Sequence, residues 1–202
     1  MRIIGDIHGK LNTYRSLGEG VRTIQVGDFG MGFLDPDEYE MLHSYFASGN
    51  HHFIRGNHDD PEMCKNFKGY IPDGSVRGDF MFVGGAMSTD RNAINPKDGY
   101  WENEQLTYGE FLEVFDTFEQ VKPKVMITHD APLNILKMMF NHVSGDIGSF
   151  TQRAFDHLWQ NHKPELWIFG HHHLTKSFNC MGTEFVCLGE LDYLDLGDKY
   201  EF

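Results

Sequence analysis

Short apolar runs alternate along the chain with longer segments in which apolar side chains recur every three or four residues. The short runs have the length of β-strands, and the longer segments have the period of amphipathic helices. Strands that alternate with helices are typical of an α/β fold. The predicted strands cover residues 2–5, 23–26, 52–55, 80–84, 124–128, 166–169 and 184–188.

Three of the helical segments begin with residues that cap a helix. Asp35 stands directly before a proline, as an N-cap residue often does. Thr107 with Glu110, and Ser149 with Gln152, have the spacing of capping boxes. Stripes of aromatic and aliphatic residues follow each start, and we predict that these stripes belong to the core.

Two dipeptides predict hairpins, which join antiparallel strands. Gly78-Asp79 and Met181-Gly182 each separate apolar runs by two residues that favour tight turns. The sheets should therefore be mixed, with antiparallel strands added to a parallel part. The length of 202 residues suits one domain, and we expect residues 1–202 to form it.

Polar residues of the same few types follow five of the predicted strands. The clusters are Gly5-Asp6-Ile7-His8-Gly9, Gly27-Asp28-Phe29-Gly30, Gly56-Asn57-His58-Asp59, His129-Asp130 and Gly170-His171-His172-His173. Side chains alternate along a strand, so Asp6 and His8 should share a side, as should His171 and His173. Ligand sites in open α/β sheets lie at the carboxyl ends of strands. Each of these pairs could therefore bind one metal ion.

Each cluster alone also has an ordinary explanation. An Asp-x-His sequence is more often a surface hydrogen bond than a metal site, and a Gly-Asp after a strand is usually a turn. Three consecutive histidines can be an incidental loop. The repetition of the same ligand types after five separate strands favours a metal site over these explanations.

The ordered blocks GDIHG, GDFG, GNHD, Thr-His and GHHH resemble the calcineurin-like metallophosphoesterase superfamily. The resemblance spans Asp6 to His173 and implies an αββα sandwich of mixed β-sheets flanked by helices. It also implies a dinuclear centre. One metal would be held by Asp6, His8, Asp28 and His173, and the other by Asp28, Asn57, His129 and His171.

The donor types of these residues agree with a two-metal site. One carboxylate can bridge two cations, which suits Asp28, and the amide oxygen of Asn57 adds a ligand without adding charge. Imidazole and oxygen donors suit several divalent ions, and Cys64, Cys180 and Cys187 form no close-spaced thiolate pair. We expect two divalent ions, with Mn preferred and Fe, Zn, Co or Ni as alternatives.

Such a site predicts hydrolysis of phosphate esters. A hydroxide that bridges the metals would attack phosphorus, and His58 would protonate the leaving group. Asp59 is expected to orient the imidazole of His58. Asn57 and Arg55 are predicted to contact the substrate, and Arg55 could equally pair with an acidic neighbour. The second block departs from the GDxxDRG pattern of protein phosphatases, which argues against that activity.

Two further segments are open to two interpretations. Residues 84–91, with Trp101 and Glu104, resemble a block of small bacterial and phage metallophosphoesterases, or they form a loop at the sheet edge. Residues 136–142 could line the site or pack in the core. His172 is expected to point away from the metals. The histidines outside the five clusters are expected to be solvent-exposed or packing residues.

The charge of the chain limits the choice of substrate. Asp and Glu number 30 against 17 Lys and Arg, which gives a formal net charge of −13. This charge repels polyanions and makes long nucleic acid a poor substrate. We therefore predict hydrolysis of phosphomonoesters or small phosphodiesters. Alternatives are a dinucleotide-polyphosphate pyrophosphohydrolase, a nuclease, or a non-catalytic scaffold of the same fold.

The sequence also bears on the location of the protein. The first strand begins directly after Met1, which leaves no room for a secretory signal. No run of about 18 apolar residues occurs, so we expect no membrane association. The odd number of cysteines fits reduced thiols. A cytoplasmic location is predicted, and the oligomeric state is left open.

Overall fold

Two β-sheets lie face to face between two layers of helices in the computed structural model, which describes residues 1–88, 101–140 and 147–202. The strands are β1 (Arg2–Ile4), β2 (Thr23–Gln25), β3 (His51–Phe53), β4 (Val76–Arg77), β5 (Phe80–Val83), β6 (Val125–Thr128), β7 (Leu166–Phe169), β8 (Lys176–Cys180), β9 (Thr183–Cys187) and β10 (Tyr193–Asp195). The helices are α1 (Leu11–Leu17), α2 (Pro36–Phe46), α3 (Pro61–Lys65), α4 (Tyr108–Val121), α5 (Leu133–Phe140) and α6 (Phe150–Asn161).

Both sheets have a parallel centre with antiparallel strands at their edges. The first sheet has the order β10-β1-β2-β3, in which only β10 is antiparallel to its neighbour. The second sheet has the order β4-β5-β6-β7-β9-β8, in which β4 and β8 are the antiparallel strands. The five strands that precede the polar clusters are all parallel strands, so their carboxyl ends share one edge of the sandwich.

Alternation along the strands divides the core into three layers. Ile3 faces the second sheet, whereas Ile4 faces the helices α1 and α2. Phe82 likewise contributes to the layer between the sheets, and Met81 to the layer beneath α4, α5 and α6. Because the parallel strands are covered on both faces, they appear in the sequence as continuous apolar runs. The predicted αββα sandwich is confirmed.

The three predicted helix starts are capped as expected. The side chains of Thr107 and Ser149 accept hydrogen bonds from the backbone three residues later, and the N3 side chains return the contact. Asp35 forms the same reciprocal arrangement with Glu38. Each box satisfies donors that would otherwise be unpaired at the helix start.

All seven predicted strands are present, with ends that differ by at most two residues. Both predicted hairpins exist, since β4 pairs with β5 and β8 with β9. The sequence did not predict β10, α1, α3 or α5. Two segments, residues 84–91 and 136–142, have two possible interpretations from the sequence. Residues 89–91 and 141–142 of these segments lie outside the described residues. In α5, Leu136 and Met139 are buried in the core, and Met138 is exposed.

A helix needs about 20 residues to cross a bilayer. The longest helix of the described residues is α4, with 14, and none of them meets the requirement. Cys64, Cys180 and Cys187 are free thiols.

Candidate metal centre

Seven side chains from five loops converge at the shared edge of the sandwich. The loops after β1, β2 and β3 belong to the first sheet, and the loops after β6 and β7 belong to the second. The structure therefore brings together all the residues that the sequence nominated as metal ligands. They are Asp6, His8, Asp28, Asn57, His129, His171 and His173.

The first group of donor atoms is formed by residues after β1, β2 and β7. The atoms that lie within 4.8 Å of one another come from Asp6, His8, Asp28 and His173. Nε2 of His8 is 3.0 Å from Nε2 of His173, and Oδ2 of Asp6 is 3.3 Å from that same His173 atom. Two carboxylates and two imidazoles could hold one cation here.

The second group shares Asp28 with the first. Donor atoms of Asp28, His129 and His171 also lie within 4.8 Å of one another. Nε2 of His129 is 3.4 Å from Oδ1 of Asp28 and 3.0 Å from Oδ1 of Asn57. The amide oxygen of Asn57 therefore points at the same position. Because Asp28 belongs to both groups, its carboxylate can bridge two ions.

Left-handed backbone conformations aim four of these side chains. His8, Asp28, His171 and His173 have φ values of 44°, 58°, 66° and 52°. Such values are uncommon for residues other than glycine and cost about 1–3 kcal/mol each, and they cluster at functional sites. These ligands also lie beyond the ends of their strands, since β1 ends at Ile4 and β7 ends at Phe169. Strand alternation therefore does not set these positions, which corrects the sequence prediction. Asp6 and His8 do share one donor group, whereas His171 and His173 belong to different groups and would not bind the same ion.

Glycines of the motifs leave space for ligands that belong to other motifs. A side chain at Gly56 would collide with the carboxylate and backbone of Asp28, and one at Gly170 would collide with Asp6. A side chain at Gly27 would overlap the ring of His129. These glycines permit the close approach of one loop to another, and so each motif depends on its neighbours for its shape.

The electrostatics of the site are those of buried carboxylates beside imidazoles. Burial alone would lower the pKa of His129, but Asp28 beside it, with Asp6 nearby, raises it to about 10. Burial would raise the pKa of Asp28, and His129 instead holds it well below its usual range. Burial lowers the pKa of His171 to about 4. The site thus contains two buried anionic groups whose charge must be balanced by a proton or a cation.

Hydrogen bonds behind the ligands fix which atoms face the site. Nδ1 of His129 donates to the carbonyl of Val26 at 2.8 Å, which leaves Nε2 available. Oγ of Ser88 donates to the carboxylate of Glu104 at 2.6 Å, so it must accept from Nδ2 of Asn57, which lies 3.1 Å away. The Asn57 oxygen is therefore the atom that faces the ligands. The sequence places Ser88 and Glu104 in one recognisable block, but nothing in the block indicates this role.

His58 lies beside the donor groups with its side chain partly exposed. Its backbone N–H donates to Oδ1 of Asp28 at 2.8 Å, and its ring centroid is 5.7 Å from that of His8. Among the described residues, none forms a hydrogen bond with its imidazole. The ring is thus available to a ligand bound next to His8.

Asp59 does not orient His58, which corrects the sequence prediction. Its two carboxylate oxygens accept four hydrogen bonds, all from backbone N–H groups, at distances of 2.7–3.0 Å. Each carboxylate oxygen then accepts two hydrogen bonds, which fills both of its acceptor positions. The Asp59 side chain therefore cannot accept a further hydrogen bond from the imidazole of His58. The donors are Phe29, Gly30, Met31 and Gly56. Asp59 therefore holds the loop after β2 in place.

Arg55 does not face the site either, and the prediction that it contacts substrate is wrong. It is 3% exposed, and its Nε donates to Asp73 at 2.9 Å. Its Nη1 donates to the carbonyls of Asn103 and Glu104. The buried guanidinium therefore joins β3 to the segment that carries Glu104, and the alternative of an acidic partner is the correct one.

His172 points away from the donor groups, as predicted. Its Nε2 lies 3.1 Å from Oδ1 of the buried Asp130. Burial alone would raise the pKa of Asp130, but the hydrogen bond with His172 and the charge of His171 hold it at about 2. This pair links the loops after β6 and β7, which both carry candidate ligands.

The donor set fits two divalent cations. It combines carboxylate, amide and imidazole donors, with one carboxylate common to both groups. The buried negative charge of Asp6 and Asp28 favours a cation at this place. The strained backbone at four of the donors is a further sign of a functional site.

Comparison with known proteins gives one family and several similar structures. A family model described as calcineurin-like phosphoesterase matches residues 2–174. The structure of TT1561 from Thermus thermophilus has a TM-score of 0.57 at 14% identity, with 94% of this chain and 89% of that one covered. Phosphopantetheinyl hydrolase from Mycobacterium tuberculosis has a TM-score of 0.50 at 16% identity, with the same shares covered. At these identities the likeness concerns the fold. The curated proteins contain no match to this chain.

The matched range contains all five loops that carry the donors, from Asp6 to His173. The two-sheet fold is shared with the similar structures over nearly the whole chain. On the family match, supported by this fold and by the donors that meet at its edge, the chain belongs to the calcineurin-like phosphoesterase family.

Proposed function

We propose that this protein hydrolyses phosphomonoesters or small phosphodiesters with two divalent metal ions and with His58 as general acid. Members of the family are metal-dependent hydrolases of phosphate esters that use dinuclear centres. The observation that carries the proposal is the position of Asp28, whose carboxylate belongs to both donor groups, with His58 held next to it.

The ligand assignment follows the two donor groups. Asp6, His8, Asp28 and His173 would hold one ion, and Asp28, Asn57, His129 and His171 the other. Bound divalent ions would supply an activated water and would neutralise the oxygens of the phosphate. We propose Mn as the physiological ion, because mixed imidazole and oxygen donors accommodate it, with Fe, Zn, Co and Ni as alternatives.

His58 supplies the proton that the leaving group needs. Its backbone is tied to Asp28, and its imidazole has no hydrogen-bonding partner among the described residues, so the ring can reach a leaving oxygen on the side of His8. A positioned general acid contributes about 10²–10⁴-fold to the rate. The contribution is greatest when the leaving alkoxide is a strong base.

The first test is the hydrolysis of a panel of phosphate esters with added Mn²⁺ and, separately, with the other four ions. The panel contains an alkyl monoester, an aryl monoester, an aryl diester, a dinucleotide polyphosphate and a short oligonucleotide. We expect turnover of one or both ester classes. Preferential turnover of the dinucleotide or the oligonucleotide would instead support the pyrophosphohydrolase or nuclease alternative.

Replacement of His58 tests the general acid. We expect His58→Ala to lower kcat for methyl phosphate by about 10²–10⁴-fold and to lower kcat for p-nitrophenyl phosphate much less, since p-nitrophenolate needs little protonation. Metal content, measured by elemental analysis, should be unchanged. His157→Ala, on the exposed face of α6, is the matched control and should resemble the wild type.

Equal losses for both esters would contradict the role of His58 as an acid. A metal-loaded protein that hydrolyses no ester with any of the five ions would contradict the enzymatic proposal and favour the scaffold alternative. The two outcomes are distinct, because the second requires no variant.

A further inference from the structure

A cavity of about 430 Å³ opens beside His8 and His58. Its other wall is formed by the loop after β2, with Gly30, Phe33 and Leu34, and by Glu38 at the start of α2. Ligand pockets commonly have volumes of about 300–1,000 Å³. The volume is therefore sufficient for an organic group attached to a phosphate that lies between His8 and His58.

Phe33 presents an aromatic ring to this cavity. Half of its side chain is exposed, and its backbone N–H closes a turn by donating to Gly30 at 3.1 Å. The ring centroid lies 6.2 Å from that of Trp101, at an interplanar angle of 59°. An exposed aromatic side chain at the mouth of a candidate active site is a common means of binding a planar group.

The loop that carries Phe33 is fixed in place by several hydrogen bonds. Asp59 accepts from the N–H groups of residues 29–31. The carbonyl of Met31 accepts from Asp60 at 2.7 Å, and the hydroxyl of Tyr39 accepts from Gly32 at 2.7 Å. The backbone that carries Phe33 therefore has little freedom to lose when the ring binds a ligand, and preorganisation of this kind favours recognition.

The described residues that line the cavity do not favour a second phosphate. None of its described lining residues is Lys or Arg, and Glu38 contributes a negative charge. A further phosphate would need cationic partners, as polyphosphate and nucleic-acid sites do. The cavity therefore suits an uncharged group.

We propose that this cavity is a subsite for an aromatic leaving group of a phosphate monoester, and that Phe33 determines the preference for it. The proposal rests on the proposed function. The leaving group lies beside His58 and in the cavity only when the phosphate is bound at the donor groups. It adds a substrate class to that function, namely phosphate monoesters of aromatic alcohols or of groups that carry an aromatic ring.

The test compares phenyl phosphate with methyl phosphate in the presence of Mn²⁺. The two esters differ in intrinsic reactivity, so the measured quantity is the ratio of their kcat/KM values relative to the wild-type ratio. We expect Phe33→Ala to lower this ratio about tenfold, which corresponds to the loss of one aromatic contact. Phe33→Tyr should preserve the ratio, and Phe33→Leu should lie between. Tyr108→Ala removes another exposed aromatic residue, from α4, and should leave the ratio unchanged.

A second readout needs no turnover. Isothermal titration of the Mn²⁺-loaded protein with phenylphosphonate and methylphosphonate should show tighter binding of the phenyl compound, and this preference should be lost in Phe33→Ala. A preference that persists in Phe33→Ala, or that the wild type lacks, would overturn the subsite. Hydrolysis of both esters, with a ratio that Phe33→Ala does not change and with equal binding of the two phosphonates, would leave the proposed function intact and reject the subsite. Phenyl-selective binding without hydrolysis of any ester would reject the proposed function, and with it the assignment of the bound phenyl group as a leaving group.

Discussion

Ser88 decides which end of the Asn57 side chain faces the candidate metals. A carboxylate can only accept, so the Ser88 hydroxyl donates to Glu104 and accepts from the Asn57 amide. All three side chains are buried, at 0–2% exposure, which makes each of these bonds strong and its loss costly. The amide oxygen is thereby held toward His129 without any contact between Ser88 and the ions.

Removal of the Ser88 hydroxyl should therefore weaken metal binding. We expect Ser88→Ala to lower Mn²⁺ affinity about 10–100-fold, as the loss of hydrogen bonds behind metal ligands usually does. Ser88→Thr retains the hydroxyl and should bind Mn²⁺ nearly as well as the wild type. Calorimetric titration of the metal-free proteins measures the effect, and equal affinities of wild type and Ser88→Ala would contradict the orienting role.

The seven candidate ligands could be predicted because each follows an apolar run in a recognisable block. Arg55 and Asp59 occupy equally recognisable blocks, yet their partners come from elsewhere. Arg55 bonds to Asp73 and to carbonyls of residues 103 and 104, and Asp59 bonds to the loop after β2. The local sequence does not show whether a charged side chain faces the substrate or instead forms hydrogen bonds with buried groups of the protein.

At the scale of elements, the loops of the site are fitted to one another through glycines. Gly56, after β3, lies against Asp28, after β2, so that any side chain at position 56 would meet both the carboxylate and the backbone of Asp28. The backbone cannot yield easily there, because Gly56 also donates to Asp59 at 2.8 Å. The contact between the loop after β3 and the loop after β2 therefore contributes to the shape of the site.

Gly56→Ala should damage the site through Asp28. We expect it to lower Mn²⁺ affinity at least about tenfold and to destabilise the fold by about 1–3 kcal/mol, as overpacking does. Gly109→Ala is the matched control, since position 109 lies in α4 with open space around it. It should stabilise the protein by about 0.5–1 kcal/mol and leave metal affinity unchanged. Urea unfolding and Mn²⁺ titration measure both effects.

The elements that the sequence predicted are those with strong periodic or capping signals. β10 is short and partly exposed, and it mixes Tyr193, Leu194 and Asp195, so its pattern does not differ from that of a loop. It is a strand because it pairs with β1. This pairing joins two segments that are far apart in the sequence, so it is visible only in the three-dimensional structure. α1 buries only Leu11 and Tyr14, too few positions to define a helical period.

For the whole molecule, metal binding should add to the stability of the fold. Ions that bind only the folded state stabilise it in proportion to the logarithm of their concentration, by about 2.7 kcal/mol at 100 times Kd. In a protein of this size that corresponds to a rise in Tm of roughly 5–10 °C.

We therefore expect saturating Mn²⁺ to raise Tm relative to protein treated with a chelator, and Asp28→Asn to abolish most of the rise. Asp116→Asn makes the same charge change on the exposed face of α4 and should retain it. Differential scanning calorimetry measures the shift. Identical melting curves with and without Mn²⁺ would contradict a metal site built into the fold.

Each candidate ion position draws ligands from both sheets, and the layer of side chains between the sheets sets how far apart those ligands stand. Ile24 and Phe82, for example, lie in this layer, whereas the ligands lie at its edge. Divalent ions differ in the bond lengths they accept. We therefore expect the thickness of this apolar layer, which contains no ligand, to influence which ion the protein selects. Adding or removing a methyl group in the layer should then alter the metal preference of the site at its edge.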